Sequence, residues 1–594
     1  MKNKKISIGC ASAFWGDSSV AAEQLVKNGG IDYLVFDYLA EITMSILAGA
    51  KMKNPDLGYA KDFIDHISPI IKDIKYNKIK VISNAGGLNL EACRSAILKI
   101  ANDHSLNLKI AIVLGDDLTP IESELKKLDI KNIDNNAVMP NKFLSINAYL
   151  GANEIKKALE EGADIVITGR CVDTAVVLGP LMYEFGWEQN QYDLLASGSL
   201  AGHIIECGTQ CTGGNFTDWN LVKGFDNMGF PIVDVKSNGE FIVRKPKGTG
   251  GLINRGTVAE QFLYEIGNPK EYVLPDVVCD FSNVVIENIG KNRVIVKGAK
   301  GQRPTKNYKV SATYIDGFKS VATIVIGGID AEGKSKIVGA SIIKKVSTLF
   351  LDKGFSPFSD TKISVLGSDS TYRHKRNNLN PREVVLRIAV THNSKDALIF
   401  FTKEIAHAST GMTPGVMNFF GGRPNISPCI KLFSFFYPKE NVTTLVNIDN
   451  KNIETSGSQI SDFSISSYNN SIDKSEIESK MVFEVPLYKL AYARSGDKGD
   501  HANIGIISRD PSYFEFIKKS INQKSIKYLF NHVLKGEVEI YEVPGVFGLN
   551  LLLKNSLGGG GLASLNVDPQ GKAYAQQLLE LPINVTDKIA NVLS

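Results

Sequence analysis

Short apolar, β-branched runs alternate with longer amphipathic stretches through the first 170 residues. The runs are ISIGC (6–10), YLVFD (33–37), IKVIS (79–83), KIAIVL (109–114), LSINA (144–148) and DIVIT (164–168). Each predicts a buried strand, and the stretches between them carry apolar residues at helical spacing. NLEACRSAILKIAND (89–103) is one such helix, with Asn89 placed to cap it. Strands alternating with helices predict a parallel α/β sheet with right-handed crossovers, doubly wound or, alternatively, a partial β/α barrel. Because the alternation stops after about residue 170, the doubly wound form is the expectation.

Beyond residue 220 the pattern becomes mixed α+β. PIVDVKSNGEFIVRK (231–245) reads as a hairpin turning at Asn238-Gly239, and NVVIENIGKNRVIVKG (283–298) as a second. REVVLRIAV and CIKLFSFFY add strands around a helix near 395–408. A Ser-, Asn- and Asp-rich stretch with weak apolar periodicity then predicts a solvated linker over 450–482. The expected organisation is a core over 1–449 (a βα lobe to about 220, a mixed lobe over 221–449), the linker, and a compact unit over 483–594.

At 594 residues the chain holds about four domains' worth of sequence, at roughly 150 residues each. With 43% hydrophobic and 22% charged residues, the composition is that of a soluble globular protein. A net charge of +4, with no basic stripe, argues against nucleic acid as a partner. No run of 18 apolar residues is present, so no membrane span is expected. Cys10 after a lysine-rich start resembles a lipoprotein signal, but the apolar run is too short, and a first strand is the better reading. The seven cysteines are widely spaced and odd in number, which suits reduced thiols and a cytoplasmic location.

Polar residues and glycines gather after the early strands, where parallel sheets bind ligands: Asp17, then Asn84, Gly86 and Gly87, then Gly115-Asp116-Asp117, then Arg170 and Asp173. The same residues also serve to turn chains and cap helices. The densest cluster is HIIECGTQCTGGNF (203–216). Read as a strand entering a turn, HIIEC places His203, Ile205 and Cys207 on one face and Glu206 on the other. Cys207 is then either a small buried hydrophobe or a nucleophile activated by His203. A third reading gives His203, Glu206 and Gln210 proton-transfer or polar-contact roles without a covalent step. Cys207 and Cys211 with His203 form only a fragment of a zinc set, so no metal is expected. Thr212, Gly213 and Gly214, like the KGTGG turn at 247–251, offer backbone N–H groups to an anion. No nucleotide-binding glycine signature follows a strand, which disfavours a dinucleotide-dependent dehydrogenase.

The C-terminal unit has a charged loop with Arg494, Asp497, Lys498 and Asp500, and a glycine loop with Gly559 and Gly560. Asp568 and Pro569 read as the cap and first position of the following helix. A glycine loop leading to a helix start suits an anion, and an interface between lobes is the other reading.

Several long segments resemble the acyclic terpene utilisation AtuA family. They are IGCASAFWGDSSVAAEQLVKNGGIDYLVFDYLAE (8–41), GADIVITGR (162–170), AGHIIECGTQCTGGNF (201–216) and INRGTVAEQFLYEIGNPKEYVLPDVV (253–278). LAYARSGDKGDHANIG (490–505) and NSLGGGGLASLNVDPQGK (555–572) resemble the ferredoxin-fold domain fused behind that family's core. The resemblance implies a place in catabolism of acyclic terpenes and branched-chain carboxylates, and hence an acyl-CoA thioester or related acid as substrate. On that reading the chain is an enzyme, a hydrolase, transferase or lyase, with Cys207, His203, Glu206 and Gln210 near the chemistry. Asp17, Asn84, Gly86, Gly87, Arg170, Asp173, Thr212, Gly213, Gly214, Arg494, Lys498, Gly559 and Gly560 would bind substrate. No cofactor is expected beyond a CoA moiety carried by the substrate. The alternatives are a non-catalytic scaffold partnering an acyl-CoA carboxylase, and a phosphoryl-transfer or phosphate-ester hydrolase suggested by Asp116, Asp117, Asp497 and Asp500. Homo-oligomerisation is compatible with any of these.

Overall fold

The computed structural model describes residues 4–372, 380–455 and 483–593. All six expected early strands form: β1 Lys5–Cys10, β2 Tyr33–Phe36, β3 Lys80–Ser83, β4 Ile110–Leu114, β5 Ser145–Ala148 and β6 Ile165–Thr168. Five of them pair in parallel in the order β1-β2-β3-β6-β4. Side chains alternate between two cores. Ile8, Cys10, Val35, Ile82, Val113 and Val166 enter one; Leu34, Phe36, Val81, Ile112 and Ile167 enter the other. Both faces are therefore covered, which explains why these strands read as continuous apolar runs.

Where the sequence pattern implies a sixth parallel strand, the structure differs. β5 pairs antiparallel with a 21-residue strand, Asn307–Gly327, in a second sheet. A strand's own residues specify its burial but not its partner. The first sheet continues at both edges through antiparallel strands. The two expected hairpins (Ile232–Lys236 with Phe241–Arg244, and Val285–Gly290 with Arg293–Lys297) extend it beyond β1. Leu445–Ile448 and Lys451–Glu454 extend it beyond β4. The sheet is thus open, with eleven strands, and is not a barrel. It also runs past the lobe boundary expected near 220 and takes in the first residues of the expected linker; residues 456–482 of that linker lie outside the described residues.

The Asn307–Gly327 strand organises the second sheet, pairing with Glu383–His392, Ile426–Pro438 and Val416–Phe419. Helices Ala331–Asp352 and Lys395–Glu404 pack on it through a separate core. The C-terminal ferredoxin-like domain is a four-stranded antiparallel sheet covered by helices: Ala491–Lys498, His501–Ser508, Gly548–Leu553 and Val538–Val543 in spatial order.

HIIEC is not a strand. It ends the helix Tyr192–Glu206. That helix is buried almost all round, with Gly198 against Leu178 and Trp187 and Gly202 against Thr174, so it lacks the polar face that marks a helix in sequence. Gly208, at φ +55°, supplies the left-handed residue that stops it. Asp568 is likewise not a helix cap. The helix begins at Tyr574, and the Asp568 carboxylate accepts the Lys572 and Ala573 N–H groups in the preceding turn.

Candidate active site

A cavity of about 1570 Å³ opens between the carboxyl ends of the parallel strands, the second sheet and the C-terminal domain. Asp17, Arg170, Asp173, Glu206, Cys207, Gln210, Arg494, Lys498 and Gly559 all line it. The end of the Tyr192–Glu206 helix delivers its most distinctive group. His203 and Glu206 lie one helical turn apart on the same face. His203 Nε2–H donates to the Phe262 carbonyl at 3.1 Å, and Nδ1 lies 2.9 Å from Glu206 Oε1. A carbonyl can only accept, so the ring proton sits on Nε2 and Nδ1 accepts a hydrogen bond from the protonated Glu206 Oε1. Burial pushes His203 down to about 4 and Glu206 well above the ordinary carboxyl range; Asp173 and Glu265 add to the latter. The pair is a neutral imidazole and a protonated carboxyl sharing one proton. Glu206 Oε2 is buried and makes no hydrogen bond among the described residues.

More carboxyls than cations surround this pair. Asp37, buried at the end of β2, accepts from Asn84 Nδ2 at 2.5 Å. Burial and then Asp173 push it well up. Arg170 Nη1 donates to Asp173 at 2.7 Å, and its guanidinium stacks 4.1 Å from the Tyr149 ring, which Lys309 also faces at 5.0 Å. Arg170 acts against the upward shift of Asp37 and Glu206, and Lys498 against that of Glu206, but burial outweighs them and favours retained protons on both.

Cys207 is half-buried, and its thiol is held well above the usual range by burial and by the charges of Glu206 and Glu265. His203 is no base for it, because both ring nitrogens are engaged and the strand geometry that would align them is absent. The proposed zinc fragment does not converge either: Cys211 is buried with its Sγ toward the Gly208 carbonyl. Among the described residues, no three His, Cys, Asp or Glu side chains are disposed to hold a metal ion.

Several expected contacts have structural jobs. Asn84 holds Asp37 and the Tyr38 N–H. Gly86 and Gly87 turn the chain where a Cβ would strike Thr168 and Gly58 carbonyls. The Thr212 hydroxyl donates to the Gly229 carbonyl, and Gly213, at φ +110°, closes the turn. Arg494 is buried against Glu260 at 3.0 Å and also donates to Gln210 Oε1 and the Gly214 carbonyl. Arg494 and Gln210 therefore fasten the C-terminal domain to the core. Gly560 packs against the Gly499 carbonyl, behind the wall that Gly559 forms.

Sequence reasoning missed Asp37, Tyr149, Glu265, Lys309, Lys431 and Lys572, all in the cavity wall. Asp37 was findable, as the last residue of an expected strand. The others come from distant segments.

Comparison with curated proteins and with solved structures finds no match. The family model for the AtuA ferredoxin-like domain matches residues 485–584. The model for the acyclic terpene utilisation family protein AtuA matches residues 6–448. With core and appended domain both matched along the whole of the described cavity, the chain belongs to the acyclic terpene utilisation AtuA family.

Proposed function

We propose that the chain is an enzyme of acyclic terpene and branched-chain carboxylate catabolism that moves a proton on an acyl-CoA thioester. The observation that carries this reading is the Glu206 carboxyl in the cavity wall, paired through Oε1 with His203 and carrying a buried Oε2 that has no hydrogen-bond partner among the described residues. A group with one oxygen on a proton reservoir and the other beside substrate can give a proton and take one back. When Oε2 accepts a proton, the Oε1 proton passes to His203 Nδ1. Hydration, dehydration or isomerisation next to a thioester carbonyl uses this step, and none needs a thiolate.

The surrounding charge favours a thioester over a free acid. A wall in which burial already disfavours the charged forms of Asp37 and Glu206 is a poor place for a reacting carboxylate, whereas a thioester carbonyl is neutral. Lys309, Lys431 and Lys498 in the wall suit the anionic part of CoA. The cavity exceeds the roughly 300–1,000 Å³ of common small-ligand pockets, as an acyl-CoA requires.

Thermal unfolding against a panel of free CoA, geranyl-type and shorter branched acyl-CoAs, the matching free acids and nucleotides tests the substrate class. A ligand at 100 times its Kd stabilises by about 2.7 kcal/mol. Acyl-CoAs should shift the transition more than the acids. No shift with any of them would contradict the enzyme reading and favour the carboxylase-partner scaffold.

A further inference from the structure

A second carboxyl of the cavity wall belongs to Glu265, and the C-terminal domain supplies the groups that hold it. Glu265 is held at φ +58°, a left-handed conformation that side-chain-bearing residues rarely adopt. Two asparagines of the C-terminal sheet, both fully buried, are committed to this segment. Asn503 Oδ1 accepts the Glu265 N–H at 2.7 Å, and Asn503 Nδ2 donates to the Leu263 carbonyl at 3.0 Å. Asn550 Nδ2 donates to the Ile266 and Gly267 carbonyls at 2.8 and 2.6 Å, while Asn550 Oδ1 accepts from Asn503. Glycines on the same sheet permit the approach: a Cβ at Gly496 or Gly505 would come within 2.5 Å of Tyr264 or Leu263. Lys572, also from the C-terminal domain, then places its ammonium 3.4 Å from Glu265 Oε1 and 3.3 Å from Asp497.

We propose that Glu265 is the second working carboxylate of the site, and that the C-terminal domain holds it there through the positioning residues Asn503 and Asn550. This rests on the proton-transfer reading of Glu206 for its chemistry, but the positioning can be tested without substrate. Glu206 has only a neutral imidazole as hydrogen-bond partner and keeps its proton; burial and Asp497 raise Glu265 as well, but the Lys572 ammonium beside it acts the other way. Two carboxyls in such contrasting surroundings divide the roles of acid and base.

Cys207 reports on the arrangement. Of the described cysteines it is the half-exposed one, the other six being buried, and the Glu265 charge bears directly on its thiol. The probe is iodoacetamide, with the rate of Cys207 alkylation followed by mass spectrometry near pH 8. Glu265→Gln removes a negative charge and should accelerate alkylation roughly threefold or more, because the thiolate is the reactive form. Asn503→Leu should do the same by releasing the segment, and in the Glu265→Gln background it should add nothing. Asn550→Ser, which keeps a small polar group but loses both carbonyl contacts, serves as the second variant should Asn503→Leu fail to fold. An equal acceleration by the asparagine variants with and without the Glu265 charge would mean loosened packing and would overturn the proposal, as would no acceleration at all. Full activity of Glu206→Gln would instead overturn the function reading and leave these alkylation results standing.

Discussion

Two clusters of buried ionisable groups sit on either side of the parallel sheet's carboxyl edge, and only one resembles a working site. In the first, Glu206 and His203 share a proton, Glu206 belongs to the cavity wall, and its buried Oε2 has no hydrogen-bond partner among the described residues. In the second, Glu154 accepts from the Thr444 and Thr455 hydroxyls, Asp276 takes the Ala152 N–H on both oxygens, and Lys439 donates to the Pro275 carbonyl. Both clusters push their carboxyls up by burial. The difference is satisfaction. The second cluster is buried, has hydrogen-bond partners for its carboxyls and its ammonium, and ties Leu445–Ile448 and the segment after Pro438 to the sheet. A perturbed carboxyl alone does not mark a site; a buried unpartnered oxygen on a residue of a cavity wall calls for an explanation that a satisfied one does not.

Exchanging the carboxyl for an amide in each cluster should break the symmetry most strongly. Glu206→Gln keeps a donor for His203 Nδ1 and should fold normally, yet turnover should drop by about 10²–10⁴-fold, the usual contribution of a general acid or base. Glu154→Gln should leave turnover of the folded enzyme unchanged. Steady-state rates on the two variants decide this.

The second cluster should instead speak through stability. Lys439→Met leaves the Pro275 carbonyl without its donor and removes the positive charge that acts on Asp276, and should cost about 1–3 kcal/mol in denaturant unfolding, without altering turnover of the folded fraction. Its pH dependence is next in size. Glu154 titrates at about 7 in the folded protein against an ordinary 4.5, so the native state binds more protons between those values. This contribution is fully present below about pH 4.5 and is lost as pH rises through 7. Melting curves of Glu154→Gln should therefore show a shallower decline than wild type across that window.

The smallest expected effect is at the residue that looks most reactive in sequence. Cys207→Ser should lower turnover far less than the ~10²-fold floor set for Glu206→Gln. A loss as large as that of Glu206→Gln would restore the thiol mechanism.

Continuous β-branched apolar runs made the six early strands legible to within one residue of their ends, and the Asn89 cap and the Asn238-Gly239 turn follow from local chemistry that no distant contact overrides. The helix ending at Glu206 was hidden because burial on every side erased its periodicity. Reading HIIEC as a strand put Glu206 on the wrong face and concealed its pairing with His203. The partner of β5 and the reach of Lys572 to a residue 307 positions away depend on tertiary geometry that spacing does not encode. From the polar stretch 203–216, Glu206, Cys207 and Gln210 reach the cavity wall, while Gln210 and Arg494 also join the domains.

The most direct test of the proton-transfer role is isotopic. Branched acyl-CoAs incubated with the protein in D₂O and examined by mass spectrometry should gain deuterium in the acyl chain with wild type and Cys207→Ser, and should gain none above the uncatalysed level with Glu206→Gln. Exchange that survives Glu206→Gln, or that disappears with Cys207→Ser, would contradict the account.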